Sequence, residues 1–270
     1  LPIDALIGKI YPFFGFVLLF MAVGITVALL FSGKPMPELT FANLHPKQLP
    51  IWPLMFITIA CGAISGFHAT QSPMMARCIQ TERDGRKVFY GAMIAEGMIA
   101  IIWIAAGLTF YGGTKELATA MAVLKGPGPV VYDISTKLLG YAGGVLAMVG
   151  VIACPITTGD TAFRAARLTF ADWFNIDQGP IPKRLMISIP MFVIGYFLTM
   201  IDFNILWRYF AWSNQTFAVF TLWACATYFY LHNKSVWFAV IPGLFMSCVS
   251  VTYILQAPEG FGLSPTVATT

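Results

Sequence analysis

Apolar stretches alternate with short polar segments along the whole chain, and seven of them have the length and composition of membrane-crossing helices. They cover residues 11–31, 52–64, 88–111, 140–153, 185–201, 212–231 and 236–255. Residues 112–139 are mixed in character and leave room for one or two short helices. The pattern predicts an all-α, polytopic membrane protein in which residues 1–270 form a single transmembrane helical domain.

Two of these stretches run into polar segments that contain helix-breaking residues, with Gly66 and Pro73 in the first and Pro155 and Gly159 in the second. The polar side chains around them are Ser65, His68, Thr70, Gln71 and Ser72, and then Thr157, Thr158, Asp160 and Thr161. Discontinuous helices present free backbone groups to substrates and coupling ions in secondary transporters. The pattern therefore predicts two broken helices at a transport site. The alternative is two ordinary helix ends near the inner membrane surface.

Composition excludes several classes of protein. The chain is 58% hydrophobic and only 10% charged, whereas a soluble domain is about a quarter charged. A soluble enzyme, a disordered chain and a disulfide-stapled secreted domain are therefore excluded, and the lipid bilayer is the expected partner. The net charge of +4 gives no indication of nucleic-acid binding, and the five cysteines form no CxxC pair.

The basic residues predict an orientation. If the N-terminus is cytoplasmic and the chain crosses seven times, ten of the 16 Lys and Arg residues fall on the inside, including six of the seven arginines, and Arg208 falls on the outside. Cytoplasmic segments of membrane proteins carry such an excess. We therefore expect the start of the chain inside and its end outside.

Three ionisable side chains within or beside the apolar stretches are candidates for transport chemistry, because charged groups in a membrane cost about 2.5–3.5 kcal/mol each. Glu96 either faces a cavity and exchanges a proton or pairs with Arg77 or Arg86. His68 is either a proton relay or a hydrogen-bonded brace for the first break. The third of these side chains is Asp160.

Oxygen atoms are concentrated around Gly159. The side chains of Thr157, Thr158, Asp160 and Thr161, with unwound carbonyls, suit Na⁺, and Asp160 alone suits a proton. The alternative is that Asp160 or Thr161 caps a following helix. Arg164 either attracts a substrate carboxylate or anchors the helix at the inner surface.

Asn214 and Gln215 are polar residues at the start of the sixth apolar stretch. They support a substrate gate near Asp202 and the Trp207–Arg208–Tyr209 segment, although Trp and Tyr at such a depth more often form the interfacial belt. No firm metal site is predicted, and the expected coupling ion is Na⁺ or H⁺ without any other cofactor.

Four segments resemble the carbon starvation protein A (CstA) family. They read GFHATQSPMMAR (66–77), ERDGRKVFYGAMIAE (82–96), IACPITTGDTAFR (152–164) and FNILWRYFAWSNQ (203–215). The resemblance is to the C-terminal portion of the shorter branch of the family. It implies a bacterial or archaeal inner-membrane protein that imports peptides or pyruvate during carbon starvation, by ion-coupled symport. Because the chain opens on Leu1-Pro2, we expect it to be part of a longer transporter.

Two other functions remain open at this stage. An intramembrane aspartyl protease would use Tyr132-Asp133 and Thr158-Gly159-Asp160, although Thr157 stands where such enzymes carry glycine. A non-transporting structural subunit would tolerate substitution of the polar break residues. We expect a transporter that is not an enzyme, and its oligomeric state is unknown from the sequence.

Overall fold

The computed structural model describes residues 3–38, 40–264 and 267, and the secondary structure of this part of the chain is helical. The helices are α1 (Ile3–Phe31), α2 (Leu54–Ala63), α3 (Gly66–Ala76), α4 (Glu82–Gly85), α5 (Ala92–Tyr111), α6 (Thr114–Val123), α7 (Pro127–Trp173), α8 (Ile181–Leu198), α9 (Phe203–Leu231) and α10 (Trp237–Gln256). A π-helical segment, Arg86–Gly91, joins α4 to α5. The predicted all-α membrane fold is confirmed.

Five helical stretches of the described residues are long and apolar enough to cross a membrane. They are Tyr11–Phe31, Glu82–Tyr111, Pro127–Trp173, Ile181–Leu198 and Trp237–Gln256. The sixth predicted span lies within the 29 residues of α9. The second, residues 52–64, contains α2, and the polar string after it forms α3. Together α2 and α3 are about 30 Å long, the thickness of the hydrocarbon core. For these two stretches, membrane crossing stays a prediction.

The second predicted span is broken, as expected, but at an earlier position. The helix ends at Ala63 and restarts at Gly66, with Ser65 in an extended conformation (φ −122°, ψ 139°) as the N-cap of α3. The Ser65 hydroxyl accepts a hydrogen bond from the backbone N–H of Phe67 at 3.1 Å. The polar string from His68 to Ser72, predicted to be unwound, is helical, and Pro73 lies inside α3.

The second predicted break is wrong. α7 continues through Pro155 and Gly159 to Trp173, and its single non-helical residue is Gly140 (φ 69°, ψ −160°). A proline removes one backbone donor, but long helix on both sides keeps the neighbouring turns intact. Gly140 is different, because a side chain is strained at this combination of φ and ψ. The chain therefore departs from helical geometry at the first residue of the predicted fourth span and not after its last residue.

The described helices group into two compact units, each built from two stretches of chain. The first comprises residues 1–49 and 94–160. Its apolar core is formed by Met21, Ile25, Leu29, Ala106, Val130, Ile134 and Ala147, from α1, α5 and α7.

The second unit comprises residues 50–93 and 161–270. Here α9 packs against α10, α3 and α2, and α10 also contacts α2. The core of this unit is formed by Ile57 of α2, by Met246, Val249 and Tyr253 of α10, and by Ala257 directly after α10. α8 has no buried residue, and its apolar side chains suit contact with lipid.

Candidate functional site

In the second unit, the break between α2 and α3 is bonded to the middle of α9 through Asn214. The Asn214 Oδ1 atom accepts from the backbone N–H of Phe67 at 3.0 Å and from the Ser65 hydroxyl at 3.2 Å. The Asn214 Nδ2 atom donates to Ser65 Oγ at 2.9 Å. Ser65 is 5% exposed and Asn214 is 9% exposed. An amide on one helix therefore caps the N-terminus of another inside an apolar unit.

Gln215 attaches α9 to the other half of the broken helix. Its Nε2 atom donates to the backbone carbonyl of Ile57 in α2 at 3.2 Å, and the residue is fully buried. The Gln215 Oε1 atom is buried without a hydrogen-bond partner among the described residues. Two consecutive amides thus bond to the two helices that flank the break.

Gly66 permits the close approach of α3 to α9. A Cβ atom at this position would lie 2.5 Å from the backbone oxygen of Asn214 and 3.0 Å from Phe217 Cβ. Because the nearest atom belongs to the backbone, no side-chain movement could relieve the contact. Of the predicted site residues, Ser65, Gly66, Asn214 and Gln215 are therefore brought together.

The polar string of α3 lies on regular helix. Ser72 Oγ donates to the His68 carbonyl at 2.7 Å, and Thr70 Oγ1 donates to the Phe67 carbonyl at 2.9 Å. Gln71 Nε2 contacts Thr70 Oγ1 at 3.4 Å. His68, Thr70 and Gln71 are half-buried, and Ser72 is exposed. The hydroxyls satisfy the helix backbone, which leaves His68 and Gln71 as the side chains of this string with the most varied bonding capacity.

Asp160 is bonded to the first helix within the first unit. The Tyr11 hydroxyl donates to Asp160 Oδ2 at 2.9 Å across 149 positions of sequence, and both residues are half-buried. Tyr11 escaped the sequence prediction because a tyrosine at the start of an apolar stretch is usually an interfacial residue. The structure therefore joins the Asp160 carboxylate of α7 to α1 through a phenol donor.

The prediction that unwound backbone around Gly159 offers carbonyl ligands to Na⁺ is wrong. Thr157, Thr158, Asp160 and Thr161 all lie on continuous α7, where the backbone carbonyls are used by the helix. Thr157 Oγ1 donates to the Cys154 carbonyl at 3.0 Å. The predicted N-cap at Asp160 or Thr161 is wrong for the same reason. Among the described residues, no three His, Cys, Asp and Glu side chains form a group that could hold a metal ion.

The remaining predicted residues lie on the long helices. Glu96 is on the exposed surface of α5, and Arg164 is half-buried on α7. Both make contacts, so neither is an isolated charge.

A second carboxylate cluster in the first unit was not predicted. The Tyr111 hydroxyl donates to Asp133 Oδ2 at 2.9 Å, and Lys137 Nζ lies 2.8 Å from Asp133 Oδ1. Lys34 Nζ donates to the Phe110 carbonyl at 3.0 Å and lies 4.3 Å from the centre of the Phe110 ring. The spacing of Asp133 and Lys137 by one helical turn was the available signal.

The two aspartates of the protease alternative, Asp133 and Asp160, lie far apart along α7. Asp133 lies about 10 Å of helix before Gly140, and Asp160 lies about 30 Å of helix after it. Even if the two arms of α7 folded fully back on each other at Gly140, the carboxylates would be about 20 Å apart along the helix axis. An aspartyl protease needs its two carboxylates about 3 Å apart. Asp133 and Asp160 therefore do not form such a pair.

Comparison with known proteins adds an independent observation. Residues 9–102 match the family model described as carbon starvation protein CstA. An uncharacterized protein of Haemophilus influenzae is 54% identical over 120 residues, which cover 44% of this chain and 87% of that protein. No solved structure matches the chain.

Two relatives are named as transporters. The peptide transporter CstA of Bacillus subtilis is 28% identical over 251 residues, covering 74% of this chain and 42% of the transporter. The pyruvate/proton symporter BtsT of Escherichia coli is 44% identical over 63 residues, covering 21% of this chain and 9% of the symporter. The chain thus spans less than half the length of either named transporter.

Proposed function

Because the chain belongs to the carbon starvation protein CstA family, we propose that it forms part of a secondary transporter that imports small carboxylate-bearing nutrients by ion-coupled symport. The substrates are peptides or pyruvate, taken up across the plasma membrane during carbon starvation. The names of the Bacillus and Escherichia relatives, a peptide transporter and a pyruvate/proton symporter, support this class of substrate.

The observation that carries the proposal is the helix break at Ser65 and its attachment to α9. A break inside an apolar unit exposes backbone donors and acceptors that lipid cannot satisfy. Here Asn214 and Gln215 supply some of the missing partners. Broken helices of this kind occur in secondary transporters because their free ends bind substrate and ions. A purely structural span has no need of a buried polar break.

For the coupling ion we favour H⁺ over Na⁺. The BtsT relative is named as a proton symporter, and the helical backbone around Gly159 lacks the carbonyl ligands that a Na⁺ site would require. In the proposal Asp160, hydrogen-bonded to Tyr11 in the first unit, carries the proton. Glu96 of the first unit and His68 of the second unit are separate candidates for proton exchange. Each unit has its own further polar candidates, which are Thr157 and Thr158 in the first and Thr70, Gln71, Ser72, Thr161 and Arg164 in the second.

The test is uptake by proteoliposomes that contain the purified full-length protein. Radiolabelled pyruvate and alanyl-alanine are each supplied with an inward proton gradient, an inward Na⁺ gradient, or no gradient. We expect uptake to be driven by the proton gradient and to collapse when a protonophore is added. Uptake driven only by the Na⁺ gradient would show that Na⁺ is the coupling ion instead of H⁺. Absence of gradient-driven uptake of both compounds would contradict the proposal.

The site assignment has its own control on the same helix. Asp160→Asn keeps a hydrogen-bond acceptor for Tyr11 but cannot carry a proton, so proton-driven uptake is expected to fall. Asp172→Asn changes an exposed carboxylate of α7 and is expected to leave uptake unchanged. Full uptake by Asp160→Asn and by His68→Ala would eliminate both residues from the pathway and favour a structural role for them.

A further inference from the structure

The segment that follows α10 folds back over the end of that helix and buries a carboxylate. The backbone N–H of Phe261 donates to the Ile254 carbonyl at 2.9 Å, and that of Leu263 donates to the Leu255 carbonyl at 2.8 Å. Glu259 lies on this segment, and its side chain is only 7% exposed. The fold therefore removes a charged group from solvent at the end of a helix.

The buried carboxylate is only partly compensated. The Tyr253 hydroxyl of α10 donates to Glu259 Oε1 at 2.8 Å, and Nε of Arg208 in α9 lies 3.5 Å from the same oxygen. The other oxygen, Oε2, is buried and has no hydrogen-bond partner within the described part of the chain. Arg208 and Tyr253 are the charged and titratable groups that face the carboxylate from the two helices packed around it. A buried charge is costly unless its hydrogen-bonding capacity is filled.

Arg208 is bound to Glu259 by one edge only. Its side chain is 49% exposed, and its contact with Glu259 runs through Nε at a distance longer than a good hydrogen bond. A guanidinium has five N–H donors in a planar fork and binds a carboxylate best through two parallel hydrogen bonds. The present pair leaves most of that capacity facing outward, where a second carboxylate can reach it.

We propose that Arg208 and Glu259 form a carboxylate-exchange site, in which Arg208 binds the carboxylate of the substrate when Glu259 takes up a proton. This rests on the proposed function, because it names the residue that recognises the imported carboxylate. The ionised Glu259 side chain attracts Arg208. A proton from the outer solution forms an O–H bond at Oε2, the attraction is lost, and the guanidinium turns to the substrate. Protonation of Glu259 and binding of the substrate therefore favour each other, whereas the coupling proton of the proposed function is carried by Asp160.

The predicted orientation places this site on the side from which nutrients arrive. Arg208 belongs to the segments predicted outside, and the chain is predicted to end there. We therefore expect a lower KM for a carboxylate at lower external pH, because a protonated Glu259 does not attract Arg208.

The test measures KM for pyruvate uptake as a function of external pH in the same proteoliposomes. Glu259→Gln is a permanent mimic of the protonated side chain, so its KM is expected to be low and independent of pH. Arg208→Gln is expected to raise the KM by about tenfold or more, since it removes a charge-assisted hydrogen-bond pair. Lys115→Gln and Glu38→Gln, which alter exposed charges of the other unit, are expected to reproduce the parent profile.

A binding measurement separates this site from the transport proposal. Equilibrium binding of labelled pyruvate and of the neutral analogue pyruvamide is compared between the parent protein and the Arg208→Gln variant, each shown to be folded by its melting temperature. Selective loss of pyruvate binding supports the site even if no uptake occurs, which would contradict only the proposed function. Uptake and binding by the parent that neither Arg208→Gln nor Glu259→Gln alters would overturn the exchange site and leave the proposed function intact.

Discussion

The double capping of the Phe67 N–H predicts an unusual energetic relation between Ser65 and Asn214. This N–H donates both to Ser65 Oγ at 3.1 Å and to Asn214 Oδ1 at 3.0 Å. Removing either side chain leaves the other acceptor in place, whereas removing both leaves a donor without either partner. The relevant variants are Ser65→Ala, Asn214→Ala and the double variant.

Two effects of opposite sign decide the result. The direct Ser65–Asn214 hydrogen bonds are already lost when either residue is changed, so the second substitution does not lose them again. For an average interhelical hydrogen bond in a membrane protein, this makes the stability loss of the double variant about 0.6 kcal/mol smaller than the summed losses of the two single variants. An orphaned buried donor costs about 1–3 kcal/mol. The second effect is larger, so we expect the double variant to lose about 0.5–2 kcal/mol more than the two single variants combined.

The assay is reversible unfolding in mixed detergent micelles, followed by tryptophan fluorescence. Thr58→Ala on α2 and Thr227→Ala on α9 provide a control cycle in the same unit, because both hydroxyls are exposed and bond to the preceding turn of their own helix. Their effects are expected to add. If the Ser65 and Asn214 effects also add, or sum to more than the double variant, the Phe67 N–H is not held by both acceptors and the argument fails.

Three other substitutions test the backbone and the proton site. Gly66→Ala places a Cβ 2.5 Å from the Asn214 backbone oxygen and is expected to cost about 1–3 kcal/mol in unfolding free energy, whereas Gly159→Ala meets nothing within 4 Å and is expected to stabilise α7 slightly. A large loss of stability in Gly159→Ala would indicate that the helix is broken at Gly159 after all. Gly140→Ala is expected to cost about 1–3 kcal/mol and lower the melting temperature, since φ 69° with ψ −160° suits only glycine. Asp160→Asn is expected to change the melting temperature little while proton-driven uptake falls about tenfold or more, and equal losses of stability and uptake would indicate a structural role.

Local hydropathy predicts the helices of this protein well, because lipid selects for composition at every position of a span. It also indicates that Asn214 and Gln215 are exceptional in an apolar stretch. The position at which a helix breaks is harder to predict. Pro155 and Gly159 appear as disruptive as Ser65 and Gly66, yet the first pair stays in helix. The difference lies in tertiary partners, since Ser65 has an amide from α9 to satisfy the interrupted backbone.

Contacts between distant positions account for what the sequence does not reveal. Tyr11 meets Asp160 across 149 positions. The pairing of Arg208 with Glu259 depends on the fold-back of the chain after α10, and neither residue belongs to a local motif. Such pairs become visible only when packing brings the helices together. Charge counting predicted Arg208 as an outer residue, but not the carboxylate that binds it.

The π-helical segment Arg86–Gly91 shows how a single residue can reorient a span. A π turn bonds each N–H to the carbonyl five residues earlier and so contains one residue more than an α turn. One residue advances an α-helix by about 100°, so it changes the face on which the following residues of the same helix lie. Deletion of one residue here would restore α-helix and carry Glu96 to a different face of the same span. The length of this segment therefore determines which face of the helix carries Glu96.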